Sequence, residues 1–467
     1  MEEAPKGTVF IMAILIIGAI LGLMNQSSLN TALPNIMGDF QISTSSAQWL
    51  TTAFALVTGI VVPITAFLIQ RFTTKQVFVF AMGMLTVGTL LCAVSPNFGL
   101  LLTGRIVQAV GVGIMLPLVQ TLAFILIPVA KRGFSMGMIG LAINFAPAIG
   151  PVLSGWLVAD HSWRLLFYIL FPCTLFITLV GIFLLKNVTT QVKSKIDSLS
   201  VMLSSLGFSG ILYGFSISGS KGWESAEVLI SLAVGFLALG LFVWRQLILD
   251  NPLLELRVFK STSFTLATVI TMILMIIMLS AQLLLPIYMQ TMLGYTALKS
   301  GLMLLPGAIL MGVMSPIAGK LFDKFGARLL VITGLSLTVI STLLFTHLTE
   351  TTSYAFLMVG YSFRMIGVSL TIMPVITSGM NSLAPEWIRH GIPVNTTLRT
   401  VAGSIGTALL ITIMMTYNGG SLGQTSDVHS LIHGMNVASM VTTGAAVIAL
   451  VLAFFIKRKE PLKEKAA

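Results

Sequence analysis

The sequence predicts an all-α integral membrane protein with fourteen transmembrane helices: two six-helix bundles plus an inserted two-helix hairpin. Three observations predict it. Apolar residues make up 56% of the 467-residue chain and charged residues only 9%, with a mean hydropathy of +0.99. A soluble domain carries roughly 25% charged residues, and a soluble fold of this composition would expose large apolar patches. The apolar residues come in long continuous runs, each near the roughly 20 residues that a helix needs to cross a bilayer. Barrel strands would instead be about ten residues of alternating pattern. The basic residues, finally, sort to one side of these runs.

The runs lie near 8–30, 46–69, 77–95, 100–126, 134–158, 164–185, 199–219, 227–247, 263–289, 300–319, 329–347, 354–379, 394–417 and 436–456. The short start, MEEAPKG, leads directly into the first run with no convincing cleavage site, so the first helix is expected to be retained. Lysine and arginine test the map, because cytoplasmic loops retain them. With the N-terminus inside, twenty of the 26 fall in inside segments, from Lys6, Arg71 and Lys75 through Lys193, Lys195 and Lys324 to the cluster at 457–465. Only Arg164, Lys221 and Lys299 fall outside, and Arg105, Arg364 and Arg399 lie within runs. An odd number of spans would destroy this asymmetry, so both termini are expected in the cytoplasm. The net charge of +11 is then a matter of topology, and no nucleic-acid partner is implied.

The chain also repeats. Shifted by 253 residues, PITAFLIQRFTTK (63–75) falls on PIAGKLFDKFGAR (316–328) without a gap. Pro63 meets Pro316, Leu68 meets Leu321 and Phe72 meets Phe325. Two homologous halves related by an axis along the membrane normal are a transporter architecture. The expected domains are therefore a first bundle over 8–185, a hairpin over 199–247, a segment over 248–262, a second bundle over 263–456 and a basic tail over 457–467. Leu253, Leu254, Leu256, Val258 and Phe259 suggest that the 248–262 segment lies at the membrane interface.

Several stretches carry a family pattern. GKLFDKFGAR (319–328) matches the loop motif G-x-L-x-D-R-x-G-R, with Lys324 for the first arginine. In the first half the same motif has Gln70 where Asp is usual and Thr73 for Gly. GRIVQAVGVG (104–113) is built on Arg105. NFAPAIGPVLSGWL (144–157) offers Gly150, Pro151 and Gly155. SWRLLFYILFP (162–172), NPLLELRVF (251–259) and LPIYMQTMLGYTALKSGLMLLP (285–306) complete the set. In this order, over nearly the whole chain, they resemble the major facilitator superfamily, within it the fourteen-span drug:proton antiporter branch. The resemblance implies a multidrug exporter of the cell membrane, a working monomer that needs no cofactor, with amphipathic drug-like molecules and protons as its partners.

The motifs also have a physical reading. Gly326 permits a tight turn. Asp323 can accept hydrogen bonds from the N-terminal end of a nearby helix or pair with a basic side chain such as Lys324 or Arg328. Such a latch closes one face of the assembly and breaks on switching; a solvated loop carboxylate is the alternative. Small residues in the fifth run let helices approach, and Pro147 and Pro151 bend it; ordinary packing explains them equally well.

An ionisable residue inside a span is a functional candidate by default. Arg105 lies nine residues after Pro96, about 13 Å along a helix. It is either a structural brace or a governor of proton and substrate occupancy. None of the fifteen carboxylates falls centrally in a run. In the resembled family the first span often carries Asp in a pattern ending like NTALP (30–34); here that position is Asn25, and an amide cannot titrate near neutral pH. Three readings stay open. Coupling uses an edge carboxylate, Asp39 or Asp323. The substrate is neutral or anionic and sits near an intramembrane arginine. Or transport is uncoupled.

A polyspecific pocket is mostly apolar with a few convergent polar groups. Asn25, Gln26, Thr52, Asn144, Gln282 and Asn395 are such groups midway along runs, with Trp49 and Tyr288 at run edges and Arg399 within one. Helix-to-helix hydrogen bonding is the alternative role for each. The function implied is a secondary multidrug exporter; the alternative is export of an endogenous anionic or lipid-like metabolite. An enzyme finds no support, because no metal-ligand cluster, nucleophile–base arrangement or phosphate-binding glycine motif stands out. Cys92 and Cys173 both lie in apolar runs and form no metal spacing.

Overall fold

The computed structural model describes residues 7–189, 191, 197–250, 252–416 and 428–456. Lys6, Lys193, Lys195 and the basic tail over 457–467 lie outside the described residues. Fourteen long α-helices follow in order, and no strand occurs among the described residues. They are α1 (Thr8–Phe40), α2 (Thr44–Arg71), α3 (Thr74–Ala93), α4 (Phe98–Leu126), α5 (Arg132–Asp160), α6 (Arg164–Leu184) and α7 (Ser198–Lys221). Then come α8 (Ala226–Ile248), α9 (Thr262–Ile287), α10 (Ala297–Phe325), α11 (Ala327–Leu344), α12 (Tyr354–Asn381), α13 (Ile388–Thr416) and α14 (Val428–Ala453). Thirteen are long and apolar enough to cross a membrane; α5, which carries the 144–157 motif, is the other.

Polar residues in the loops set the helix starts. Ser43, Thr73, Asn97, Asp197, Ser261, Thr296 and Ser353 each accept a backbone N–H from the first turn that follows. Such caps satisfy N–H groups that have no partner within the helix. Gly326 joins α10 to α11 at φ 79°, a left-handed conformation that suits glycine. The first helix runs on through Pro34 to Phe40, past the end of its apolar run at about residue 30. Asp39 therefore lies in its last helical turn, not in a loop. A proline removes one backbone bond, and the following turns still form. At the far end of α9 a π turn over Tyr288–Met292 follows Pro286.

Contacts gather the chain into two compact units: 1–128, 142–258 and 384–408; and 129–141, 259–383 and 409–467. The first unit includes the hairpin α7–α8, where Gly210 and Gly235 allow the two backbones to approach closely. Leu253, Leu254 and Val258 of the following segment are buried in the protein, while Leu256 and Phe259 are half-buried. Gln246 accepts the Leu254 N–H at 3.2 Å, so polar and apolar groups alike draw this segment inward.

Candidate functional site

The densest polar cluster inside the first unit surrounds Arg105. Its side chain is wholly buried, on α4. One terminal guanidinium nitrogen donates to the Asn25 carbonyl at 3.2 Å, to the Asn25 side-chain oxygen at 3.2 Å and to Gln108 Oε1 at 2.8 Å. Asn25 and Gln108 then donate to the Thr89 hydroxyl, at 2.9 and 3.1 Å. Thr89 passes its own proton to the Leu85 carbonyl at 2.7 Å. The guanidinium also stacks on the Phe54 ring at 4.3 Å, a cation–π contact. Four helices thus share one neutral network around one cation. Gly88 and Gly104 make it possible, because a Cβ on Gly88 would strike the Gly104 carbonyl and Gln108.

Asn25 is bound up in this network rather than facing open space. Gln108, Thr89 and Phe54 escaped the sequence reading. Gln108 is three residues from Arg105, on the same helical face, so that spacing offered a signal. Thr89 and Phe54 lie on other helices and offered none. Gly150 of α5 packs on α1, where a Cβ would collide with Ser27. Gly155 approaches Thr31 in ordinary contact. Pro147 and Pro151 fall within the helical run of α5.

The other candidates are dispersed. Gln26, Thr52 and Asn144 are half-buried, in α1, α2 and α5. Trp49 stacks on Tyr213 of the hairpin, with ring centroids 5.8 Å apart. Asn395 and Arg399 are buried in α13, and the Arg399 Nε has no hydrogen-bond partner. In the second unit, Gln282 is exposed and neighbours the Tyr361 hydroxyl. Tyr288 is buried and donates to the Thr349 carbonyl at 2.6 Å.

Asp323 sits in the last turn of α10. Its two oxygens accept the backbone N–H groups of Gly133 and Phe134, both at 2.9 Å. These N–H groups belong to the first turn of α5, where helix partial charges favour an anion. Gly133, Gly137 and Gly319 let the two helices come this close; a Cβ on Gly137 would lie 2.5 Å from the Ser315 carbonyl. Arg132 fastens the same start to α12 through Asn381 at 2.8 Å. Lys324 lies over the Phe325 ring at 5.1 Å, and Arg328 is half-buried.

At the matching place in the first half, Gln70 meets the His390 Nε2 at 2.7 Å. The other ring nitrogen, Nδ1, accepts the Glu255 N–H at 3.2 Å. With Nδ1 accepting, the ring proton lies on Nε2, which faces the Gln70 side-chain nitrogen; the bond forms with the Gln70 amide turned so that its oxygen accepts. At the opposite end of α1, Asp39 accepts from Arg164 at 2.6 Å and from the Trp163 indole at 3.1 Å. Arg164 and Trp163 hold the Asp39 carboxyl below the usual carboxylate range. Asp39 and Arg164 thus form an ion pair. Among the described residues no group of three or more His, Cys, Asp and Glu is placed to hold a metal.

Comparison with known proteins adds identity to this geometry. Residues 15–407 match the model of the Major Facilitator Superfamily. The MFS-type transporter YcnB of Bacillus subtilis (strain 168) is 47% identical over 467 residues, 100% of this chain and 99% of the relative. The lincomycin resistance protein LmrB of Listeria monocytogenes is 42% identical over 454 residues, 96% of each chain. Among solved structures, the human organic anion transporter MFSD10 (TETRAN) shares the fold, with a TM-score of 0.71 at 13% identity over 97% of this chain and 100% of its own. The chain accordingly belongs to the Major Facilitator Superfamily and is a multi-pass membrane transporter, not an enzyme.

Proposed function

We propose that this chain is a secondary exporter that moves amphipathic drugs out of the cell by alternating access, in exchange for protons. The observation that carries the reading is its 42% identity, across nearly all of both chains, to a protein named for lincomycin resistance. The reading places fourteen spans in the cell membrane with both termini in the cytoplasm, as the basic residues suggest. In it, the Asp323 bonds to the start of α5 form and break during each cycle. Asp323 is then the stronger coupling candidate of the two edge carboxylates. Asp39 is tied into an ion pair that favours its charged form, which suits a fastener better than a proton carrier.

The full chain in proteoliposomes, with lincomycin as first probe and an imposed pH gradient, tests the proposal. Uphill lincomycin movement that dissipates the gradient is expected. Movement indifferent to the gradient overturns proton exchange, and no movement of lincomycin or other amphipathic drugs overturns drug export. Asn25→Asp probes the same point from the other side. A carboxylate beside Arg105 is expected to change the pH profile of transport or to admit cationic substrates; if neither changes, Asn25 only packs and bonds.

A second reading, export of an endogenous anionic or lipid-like metabolite, draws on Arg364 and Arg399. Both are buried, and neither takes part in an ion pair among the described residues. Selective export of permanently cationic dyes would count decisively against it.

A further inference from the structure

Arg364 lies on α12 at 5% exposure. Its guanidinium stacks on the Phe345 ring at 4.4 Å. Its Nε–H has no hydrogen-bond partner. Beside it is a cavity of about 10 Å³, lined among others by Ser280, Leu284 and Leu285 of α9, by Phe345, and by Met435 and Ser439 of α14. The Ser280 hydroxyl, 2% exposed, likewise has no partner. Two unpartnered, buried polar groups therefore share one small chamber, all within the second unit.

The chemistry of the lining is one-sided. It contains one fixed positive charge and several hydroxyls, and none of the lining residues is a carboxylate. The Thr442 hydroxyl donates to the Ala438 carbonyl, so that proton is already used. Arg105 shows the chain serving a terminal nitrogen of such a cation itself, with an amide, a backbone carbonyl and a glutamine around it, although its Nε too has no partner. Three residues after Arg364 stands Gly367, where Gln108 stands after Arg105, so that acceptor is absent. A buried cation without a counter-charge is costly, and a buried N–H without an acceptor adds to the cost. A water molecule would supply an acceptor but no charge. The chamber has room for about one water-sized particle, too little for a carboxylate-bearing drug.

We propose that this cavity is a binding site for a single small monovalent anion of the halide class, held between the Arg364 guanidinium and the Ser280 hydroxyl. The anion supplies the charge that the chain omits and joins α9, α12 and α14. It makes the stability of the second bundle depend on halide, by the ordinary coupling of ligand to folded state.

The test uses the purified full chain in lipid nanodiscs, at fixed pH and ionic strength, with chloride or bromide exchanged for gluconate. The melting temperature is expected to rise with halide concentration, and radiolabelled chloride is expected to bind and be displaced by bromide but not by gluconate. Arg364→Gln is expected to abolish both responses, and Ser280→Ala to weaken chloride binding about tenfold while leaving the fold intact. Should Arg364→Gln fail to fold, Arg364→Lys keeps the charge without Nε; chloride binding reduced but still displaced by bromide then supports the site. Equal melting temperatures in halide and gluconate, with no displaceable chloride, overturn the proposal. So does chloride binding unchanged in both Arg364→Lys and Ser280→Ala.

Discussion

Residues 70 and 323 occupy the same position when the chain is shifted by 253 residues, yet they make different contacts. Asp323 places a carboxylate on two backbone N–H groups at the start of α5. Gln70 places an amide on the imidazole of His390, near the start of α13. The repeat keeps the place of the contact and changes its chemistry. A charge against a helix terminus gives charge-assisted bonds of roughly twice the strength of neutral ones. An amide against an imidazole is weaker, but it is chained to a second bond, since His390 also holds the Glu255 N–H. The first half thus ties the segment after the hairpin into its contact; the second half has no such segment to hold.

The largest effect is expected at the charged contact. Asp323→Ala strips the acceptor from two helix-start N–H groups and should cost about 1–3 kcal/mol of stability. Transport by the variant in proteoliposomes should fall at least about tenfold, which corresponds to about 1.4 kcal/mol. Asp323→Asn, which keeps one acceptor oxygen, should fall between the two. Wild-type transport by Asp323→Ala would erase the distinction between the halves.

Next in size is the pH response of the neutral contact. His390 Nδ1 is an acceptor, so protonating it sets an N–H against the Glu255 N–H and breaks that bond. The contact therefore belongs to the neutral form: it is present at high pH and is lost when acid protonates the ring. The charged groups nearby are Arg389 next in sequence, and Glu255 with its partner Arg257 at 3.6 Å. Hydrogen exchange at residues 253–255 should rise on acidification in the wild type and stay flat in His390→Gln. Gln70→Asp should move that rise to higher pH, because a carboxylate beside the ring favours the imidazolium. If exchange in Gln70→Asp rises over the same pH range as in the wild type, residue 70 does not control the ring.

How much of this was legible beforehand follows from the range of each interaction. Apolar run length gave the helices, because it is a local signal, and the 253-residue shift gave the repeat, because it needs only the sequence laid against itself. The loop motif put Asp323 near a turn, and Gly326 marked it. The cluster LMNQSSLNTALP (23–34) announced polar groups in α1, but not that Asn25 would bind Arg105, 80 residues away. That pairing depends on how closely α3 and α4 approach at Gly88 and Gly104, a property of the packed bundle. Trp49 reads as a cavity edge in sequence, and its stacking on Tyr213 requires knowing where the inserted hairpin docks. Arg164 bonds to Asp39, 125 residues away, because α6 begins beside the extended end of α1.

That last pair supplies the smallest effect and a control for the largest. Asp39 and Asp323 are both carboxylates at helix ends, but the Asp39 side chain is 45% exposed and its partner Arg164 26%. Exposed pairs contribute about 0.2–1 kcal/mol, since water screens them. The Arg164 and Trp163 contacts hold the folded-state carboxyl below its ordinary value. A group lowered in this way stabilises the fold above its unfolded value and loses that contribution as pH falls through the folded one. Asp39→Asn should therefore melt slightly below the wild type near neutral pH, and the gap should close on acidification. Asp323→Ala should show the larger gap at neutral pH, because its loss strands two backbone donors that no solvent-exposed pair can replace. If Asp39→Asn proved as damaging to stability as Asp323→Ala, exposure would not be what ranks these carboxylates, and the bonds at the α5 start would lose their special standing.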